Sequence, residues 1–261
     1  MNELDMYNIR SKIIIPSPHL RSTIEYSNME LASIYSKNEN NFNILKFLLE
    51  NNKNKVIINK SLIACITKLK STSSFDAAKL LISYGANINF YTFNNFTILM
   101  DCCLSICDSD LQIINFLIEN GADINIKNKF GQTALTHLMK FVKNSYDFEI
   151  IKLLIRKTNN INYGNNDFNT PLIICFKNDT NKLYRYDIIK LLLDNKADVY
   201  IKNNSGKNIF DIIKYKISKD SVKQNCENSD IYSLIFNYKN LVGLHLCEYD
   251  IDFIYNIFWK N

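Results

Sequence analysis

The sequence predicts an all-α fold, a solenoid of stacked helix pairs joined by short β-hairpin-like turns. Three observations carry this. An eleven-residue pattern recurs as KLLISYGANIN from Lys79, NFLIENGADIN from Asn115, KLLIRKTNNIN from Lys152 and KLLLDNKADVY from Lys190, with a weaker KFLLENNKNKV from Lys46. A second landmark keeps step with it at an offset of twelve: Thr97 follows Gly85, Thr133 follows Gly121, Thr170 follows Thr158 and Asn208 follows Lys196. Two landmarks locked at one offset define a repeat array. Finally, only six Gly and three Pro occur in 261 residues, which disfavours sandwiches and Gly-rich phosphate folds and favours helices.

In chain order, residues 1–27 are expected to form a leader or N-terminal cap, containing Pro16 and Pro18. Residues 28–59 read as a degenerate repeat, with helices from Met29 to Lys37 and from Phe42 to Glu50. Four full repeats follow at 60–92, 93–128, 129–165 and 166–203. Residues 204–240 are a degenerate repeat, with Phe210 to Lys214 and Asp230 to Phe236 as its helices, and 241–261 are a C-terminal capping segment. That makes five to six repeats including degenerate caps. A stack needs such caps because a terminal repeat otherwise exposes an apolar side.

Each repeat explains its own helices. Thr97, Thr133 and Thr170 stand where an N-cap is wanted, and Pro171 occupies the first helical position, where its missing N–H does no harm. The first helix is short and apolar: Leu99, Cys102, Cys103 and Ile106 in one copy, Leu135, Leu138 and Val142 in the next. The second helix is apolar on two adjacent faces, as in Phe148, Ile150, Ile151, Leu153 and Leu154, and so must be sandwiched between neighbours. Gly85 and Gly121 are expected to end it in the left-handed region. Thr158 and Lys196 stand at the same place, where a side chain costs roughly 1 kcal/mol. Ile124 to Asn128 alternates like a hairpin arm, while Asn144–Asp147 and Lys177–Arg185 read as extra residues between helices.

These residues resemble the ankyrin repeat, whose signature is T-P-L-H-x-A, a second helix and a G-A-D-x-N turn. Thr170-Pro171-Leu172 and Gly121-Ala122-Asp123-Ile124-Asn125 match most closely. The resemblance spans about residues 28 to 240. The signature His is replaced by Met100, Thr136, Ile173 and Asp211, so its local hydrogen bonds must be made otherwise or lost. The 38 Asn, 38 Ile and 27 Lys point to an A/T-rich genome, and with the long inter-helix loops the chain looks like the ankyrin arrays of large DNA viruses.

Other chemistry finds little support. The net charge of +5 comes from scattered Lys without a basic run, so neither nucleic acid nor a membrane surface is expected as a partner. No stretch of 18 apolar residues occurs, and the opening MNELDMYNIR carries acids, so neither a membrane span nor a secretory leader is expected. Seven Cys at irregular spacing suggest a reduced, intracellular and cytoplasmic setting. Cys102 and Cys175 fall on the small Ala position of the signature, and Cys103 and Cys107 lack a second pair, so packing is preferred to metal. His19, His137 and His245 are far apart, and His137 is placed on the exposed side of a first helix. Asp108 and Asp110 read as a solvated loop pair. No phosphate loop, nucleophile elbow or kinase signature is present, so no enzyme and no cofactor are expected.

The resemblance implies a non-catalytic, monomeric module that binds a protein partner on the concave face formed by hairpin tips and first helices. Counting six and eight residues past the terminator places Tyr91 and Phe93, Lys127 and Lys129, Gly164 and Asn166, and Lys202 and Asn204 at the tips. The aromatic pair would be hot spots and the basic pair would steer an acidic partner. The competing reading is that tip Lys and Asn only keep the hairpins hydrated. The aromatic segment from Ile251 to Trp259 is a cap, or alternatively the docking element of an adaptor that recruits a ubiquitin ligase or other host machinery.

Overall fold

The structure is a computed structural model, and it describes residues 28–34, 39–51, 53–68, 75–92, 95–104, 110–177, 184–219, 231 and 233–235. The expected leader, Phe93, Ile106, Cys107, Asp108, His19, His245 and the segment 241–261 lie outside them. The chain divides into two compact units, Met1–Lys129 and Phe130–Asn261.

In the first unit α1 (Asn28–Ile34) packs on α2 (Glu39–Asn51) and on α3 (Lys55–Lys68). α3 packs in turn on α4 (Asp76–Ser83) and α5 (Ile98–Cys102), and α5 packs on α6 (Asp110–Glu119). α3 runs through the boundary placed between residues 59 and 60. Its Ile58, Leu62, Ala64, Cys65 and Ile66 are all buried, as befits a helix covered from several sides. Phe75, just before α4, stacks on Phe116 of α6 with ring centroids 4.4 Å apart.

The second unit repeats the plan. α7 (Ala134–Leu138), α9 (Pro171–Lys177) and α11 (Ile209–Lys219) form one row, with α9 touching both others. α8 (Ser145–Lys157) and α10 (Arg185–Asp194) form the second row and pack on each other. Leu138, Ile151, Leu154, Ile189 and Leu192 fill the space between the rows. Each such side chain contributes roughly 1.5–3 kcal/mol on burial.

The helix starts follow the sequence. Thr97, Thr133 and Thr170 accept the N–H groups of Met100, Thr136 and Ile173 at 3.3, 3.3 and 3.4 Å. At two of the four places where the signature His is missing, the substitute closes the cap itself. Thr136 Oγ1 accepts the Thr133 N–H at 2.8 Å, and Asp211 Oδ2 accepts the Asn208 N–H at 3.0 Å. Met100 and Ile173 are instead buried apolar residues. Asn144 to Asp147, read as an insertion, turns out to open α8. Asn144 Oδ1 accepts the Asp147 N–H at 2.9 Å, and Asp147 Oδ2 accepts the Lys143 and Asn144 N–H groups.

The helix ends hold one correction. Gly85 (φ 89°), Gly121 (φ 94°) and Lys196 (φ 64°) are all left-handed, and Ala86, Ala122 and Ala197 then donate to Leu81, Leu117 and Leu192. Thr158 is not left-handed: at φ −67° and ψ 142° it is extended and carries no strain. Its own N–H bonds to Leu154 O, and its hydroxyl lies 3.4 Å from the Asn160 N–H, a local bond that replaces the left-handed turn. The turns are tighter than hairpins: among the described residues they contain one isolated antiparallel bridge, Tyr91 with Thr97.

Candidate binding edge

The turn after each second helix begins with an Asx turn. Asn87, Asp123, Asn160 and Asp198 each use Oδ1 to accept the N–H two residues on, at 2.8–2.9 Å. The chain then extends to a tip. At the centre of each tip one polar side chain is turned inward. Thr92 donates its hydroxyl to Asp101 Oδ2 at 2.8 Å. Asn165 Oδ1 accepts the N–H groups of Asp167 and Asn169, and Asn203 Oδ1 accepts those of Ser205 and Lys207. Asn128 and Asn203 are buried.

Because side chains alternate along extended backbone, the residues flanking these anchors face outward. Tyr91 is 47% exposed, and Lys127, Lys129, Asn166, Lys202 and Asn204 are exposed, while Gly164 is half-buried. Within the second unit the tips are joined edge to edge. Asn166 donates its N–H to Phe130 O at 3.1 Å, and Asn204 donates its N–H to Asp167 O and its side-chain amide to Asn166 O, both at 2.9 Å. The Asn204 amide is therefore engaged with its neighbouring tip. Asp101, below the first unit's tip, is a half-buried acid. Burial raises its pKa, and the hydrogen bond from Thr92 works against that shift.

His137 requires a second correction. The repeat register puts it at the surface, but it is only 7% exposed. α7 is five residues long and buried throughout, so it has no solvent face to offer. His137 Nδ1 lies 3.0 Å from Gln132 Oε1, and the ring meets Phe141 edge-on at 5.5 Å. Burial, then the charge of Lys140, lowers its pKa to about 4. Cys65, Cys102, Cys103 and Cys175 are all buried, and burial pushes the Cys65 thiol up to about 12. Among the described residues no three His, Cys, Asp or Glu groups gather as metal ligands would. No helix among them is long and apolar enough to cross a membrane.

On the tips of the second unit two exposed aromatic residues stand outside the expected set: Phe130, 48% exposed, and Phe168, 61% exposed. The place ten residues past the terminator is left-handed in every tip, at Asn95 (58°), Gly131 (69°), Phe168 (57°) and Gly206 (69°). A Phe aligned with Asn and Gly was the available signal.

Similarity to known proteins decides the family, since a profile described as ankyrin repeats (3 copies) matches residues 29–128 and again 104–203. The chain belongs to the ankyrin-repeat family. Ankyrin repeats generally mediate protein–protein interaction and are typically non-catalytic. Among relatives, ankyrin repeat protein L86 of Acanthamoeba polyphaga mimivirus is 34% identical over 247 residues, which cover 74% of this chain and 43% of L86. Protein R664 of the same virus is 28% identical over 156 residues, covering 58% of this chain and 88% of R664. Ankyrin repeat protein FPV031 of fowlpox virus (strain NVSL) is 33% identical over 170 residues, covering 62% of this chain and 44% of that protein. The chain thus spans less than half of L86 and FPV031, and most of R664.

Proposed function

We propose that this ankyrin array is a non-catalytic, monomeric interaction module of the cytoplasm that binds a partner protein on its concave face, through its tips and first helices. One observation carries the reading: residues on either side of a tied-down polar anchor stand exposed on closed, hydrogen-bonded tips. A scaffold fixed before binding loses little ordering entropy on association, so a few anchors suffice. Tyr91 offers an aromatic anchor, with Phe93 its companion by register, and Lys127 and Lys129 attract an acidic surface. Asn166, Lys202 and Asn204 serve the second unit, Asn204 through its backbone and by holding the tip beside it.

Affinity capture with the full chain tests this. The combined change Tyr91→Ala, Phe93→Ala and Lys127→Glu is expected to lower recovery of the partner at least about tenfold while helicity is unchanged. Recovery of every partner at the original level overturns the assignment of the tips.

A further inference from the structure

Phe168 combines two features that folding alone does not favour. It is a bulky residue in the left-handed region, where the equivalent places hold Asn95, Gly131 and Gly206. It is also the most exposed large apolar residue among those described, at 61%. Burial of the ring therefore does not offset the backbone strain. The loop around it is over-determined. Phe168 donates its N–H to Asn165 O at 2.8 Å, and Asn165 donates its own to Asn169 O at 3.2 Å. Asn169 Oδ1 accepts from Lys177 Nζ at 2.9 Å and from the Asn203 side chain at 3.0 Å. A strained residue persists where its surroundings force it, and such places concentrate at sites of function.

The surroundings indicate what fits. Phe130 is exposed on the adjoining tip, whose carbonyl accepts the Asn166 N–H. Lys177 is bonded to Asn169, next to Phe168, and Lys202 and Lys207 lie on the tip whose Asn203 bonds the same Asn169 side chain; all three lysines are exposed, as is Asp167 on the Phe168 tip. We propose that Phe168 is the principal anchor of the second unit for an extended, acid-flanked segment of a partner protein, with Phe130 as the secondary anchor. Neighbouring tips are spaced about 10 Å apart by helix packing, which an extended chain in the polyproline II form, with about three residues per turn and a rise of about 3.1 Å each, spans in one turn with both side chains on one face. The segment therefore carries two apolar side chains three positions apart, with Asp or Glu beside them to meet the lysines. This rests on the interaction reading above and supplies the chemistry of its partner.

The test is a displayed library of random 12-residue peptides selected on the full chain, with a 12-nucleotide oligo(dT) as a second probe. Selected sequences are expected to carry two apolar residues three apart with acidic neighbours. Phe168→Gly is expected to weaken those peptides at least about tenfold while raising the thermal midpoint by about 2–4 °C, because Gly relieves the strain. Phe168→Ala is expected to weaken binding without that gain, and Phe130→Ala to weaken it less. Peptides that bind Phe168→Gly as well as the original chain overturn the proposal, as does tighter binding of oligo(dT). If the changes at Tyr91, Phe93 and Lys127 abolish partner capture and Phe168→Gly leaves it intact, this inference fails and the broader reading stands.

Discussion

Asn89 Oδ1 accepts the backbone N–H of Asp123, 34 residues further along the chain, at 2.8 Å, and the Asn89 amide donates to Gly121 O at 3.2 Å. The link recurs in each unit. Asn59 Oδ1 takes the Asn87 N–H at 2.7 Å, and Asn162 Oδ1 takes that of Asp198 at 2.9 Å. One repeat supplies a side-chain acceptor, and the next supplies a backbone donor.

Asn89→Ala removes both bonds and is expected to cost about 1–2 kcal/mol in urea unfolding, with faster amide exchange at Asp123. Asn89→Asp keeps the acceptor and is expected to lose less. Equal losses in the two variants would mean that the Oδ1 bond is not what joins the repeats.

Gly131 and Gly206 share φ 69° but differ in surroundings. A Cβ on Gly131 would lie 2.2 Å from Asn166 Oδ1 and 2.7 Å from Asn166 N, whereas one on Gly206 meets nothing within 4 Å. Gly206→Ala is expected to cost about 1–2 kcal/mol from backbone strain alone. Gly131→Ala should cost about 1–3 kcal/mol more, because the Asn166 tip must shift. Denaturant midpoints for the two variants decide this, and equal values count against the close approach.

Lys196→Gly and Thr158→Gly should differ in sign. Lys196 is left-handed, so Gly relieves strain and is expected to stabilise by about 0.5–1 kcal/mol. Thr158 is extended, so Gly adds freedom to the unfolded chain and also loses the hydroxyl bonds to Asn160, and is expected to destabilise by about 1–2 kcal/mol. Thermal unfolding of the pair is the measurement.

His137 makes stability depend on pH. Its folded pKa, about 4, lies below the ordinary 6.5, so protonation favours the unfolded chain. The neutral ring's contribution is therefore complete above pH 6.5 and declines as pH falls towards 4. The total is about 3 kcal/mol at most. His137→Gln should flatten stability between those limits; an unchanged slope would assign the acid sensitivity to other groups.

The Cys65 thiol, pushed up to about 12, holds almost no thiolate at neutral pH. Alkylation by iodoacetamide, followed by peptide mass mapping, is expected to leave Cys65 unmodified in native protein and to label it fully in urea. Rapid native labelling would show that the helix around it opens readily.

Sequence was most informative where structure is local. The threonine caps, Pro171 and the two terminating glycines each depend on a few neighbouring residues, and all were readable. His137 was misplaced because its exposure depends on how completely α7 is enclosed, which one repeat does not reveal. Thr158 shared a register with Gly85 and Gly121, but its backbone followed a local hydroxyl bond instead. Asn144 and Asp147 form a legible cap that the longer repeat spacing disguised as an insertion. Tyr91, Lys127, Lys129, Asn166, Lys202 and Asn204 are exposed because extended backbone alternates. Phe168 could be seen only by asking what backbone geometry its column of the repeat imposes.

The Asn links have a consequence for how such arrays grow. The donor in each is a main-chain N–H, which every residue except proline possesses, while the acceptor travels inside the repeat's own sequence. A duplicated segment therefore arrives with half of the joint and finds the other half already in place. Gene duplication can lengthen or shorten the array without first evolving a new seam.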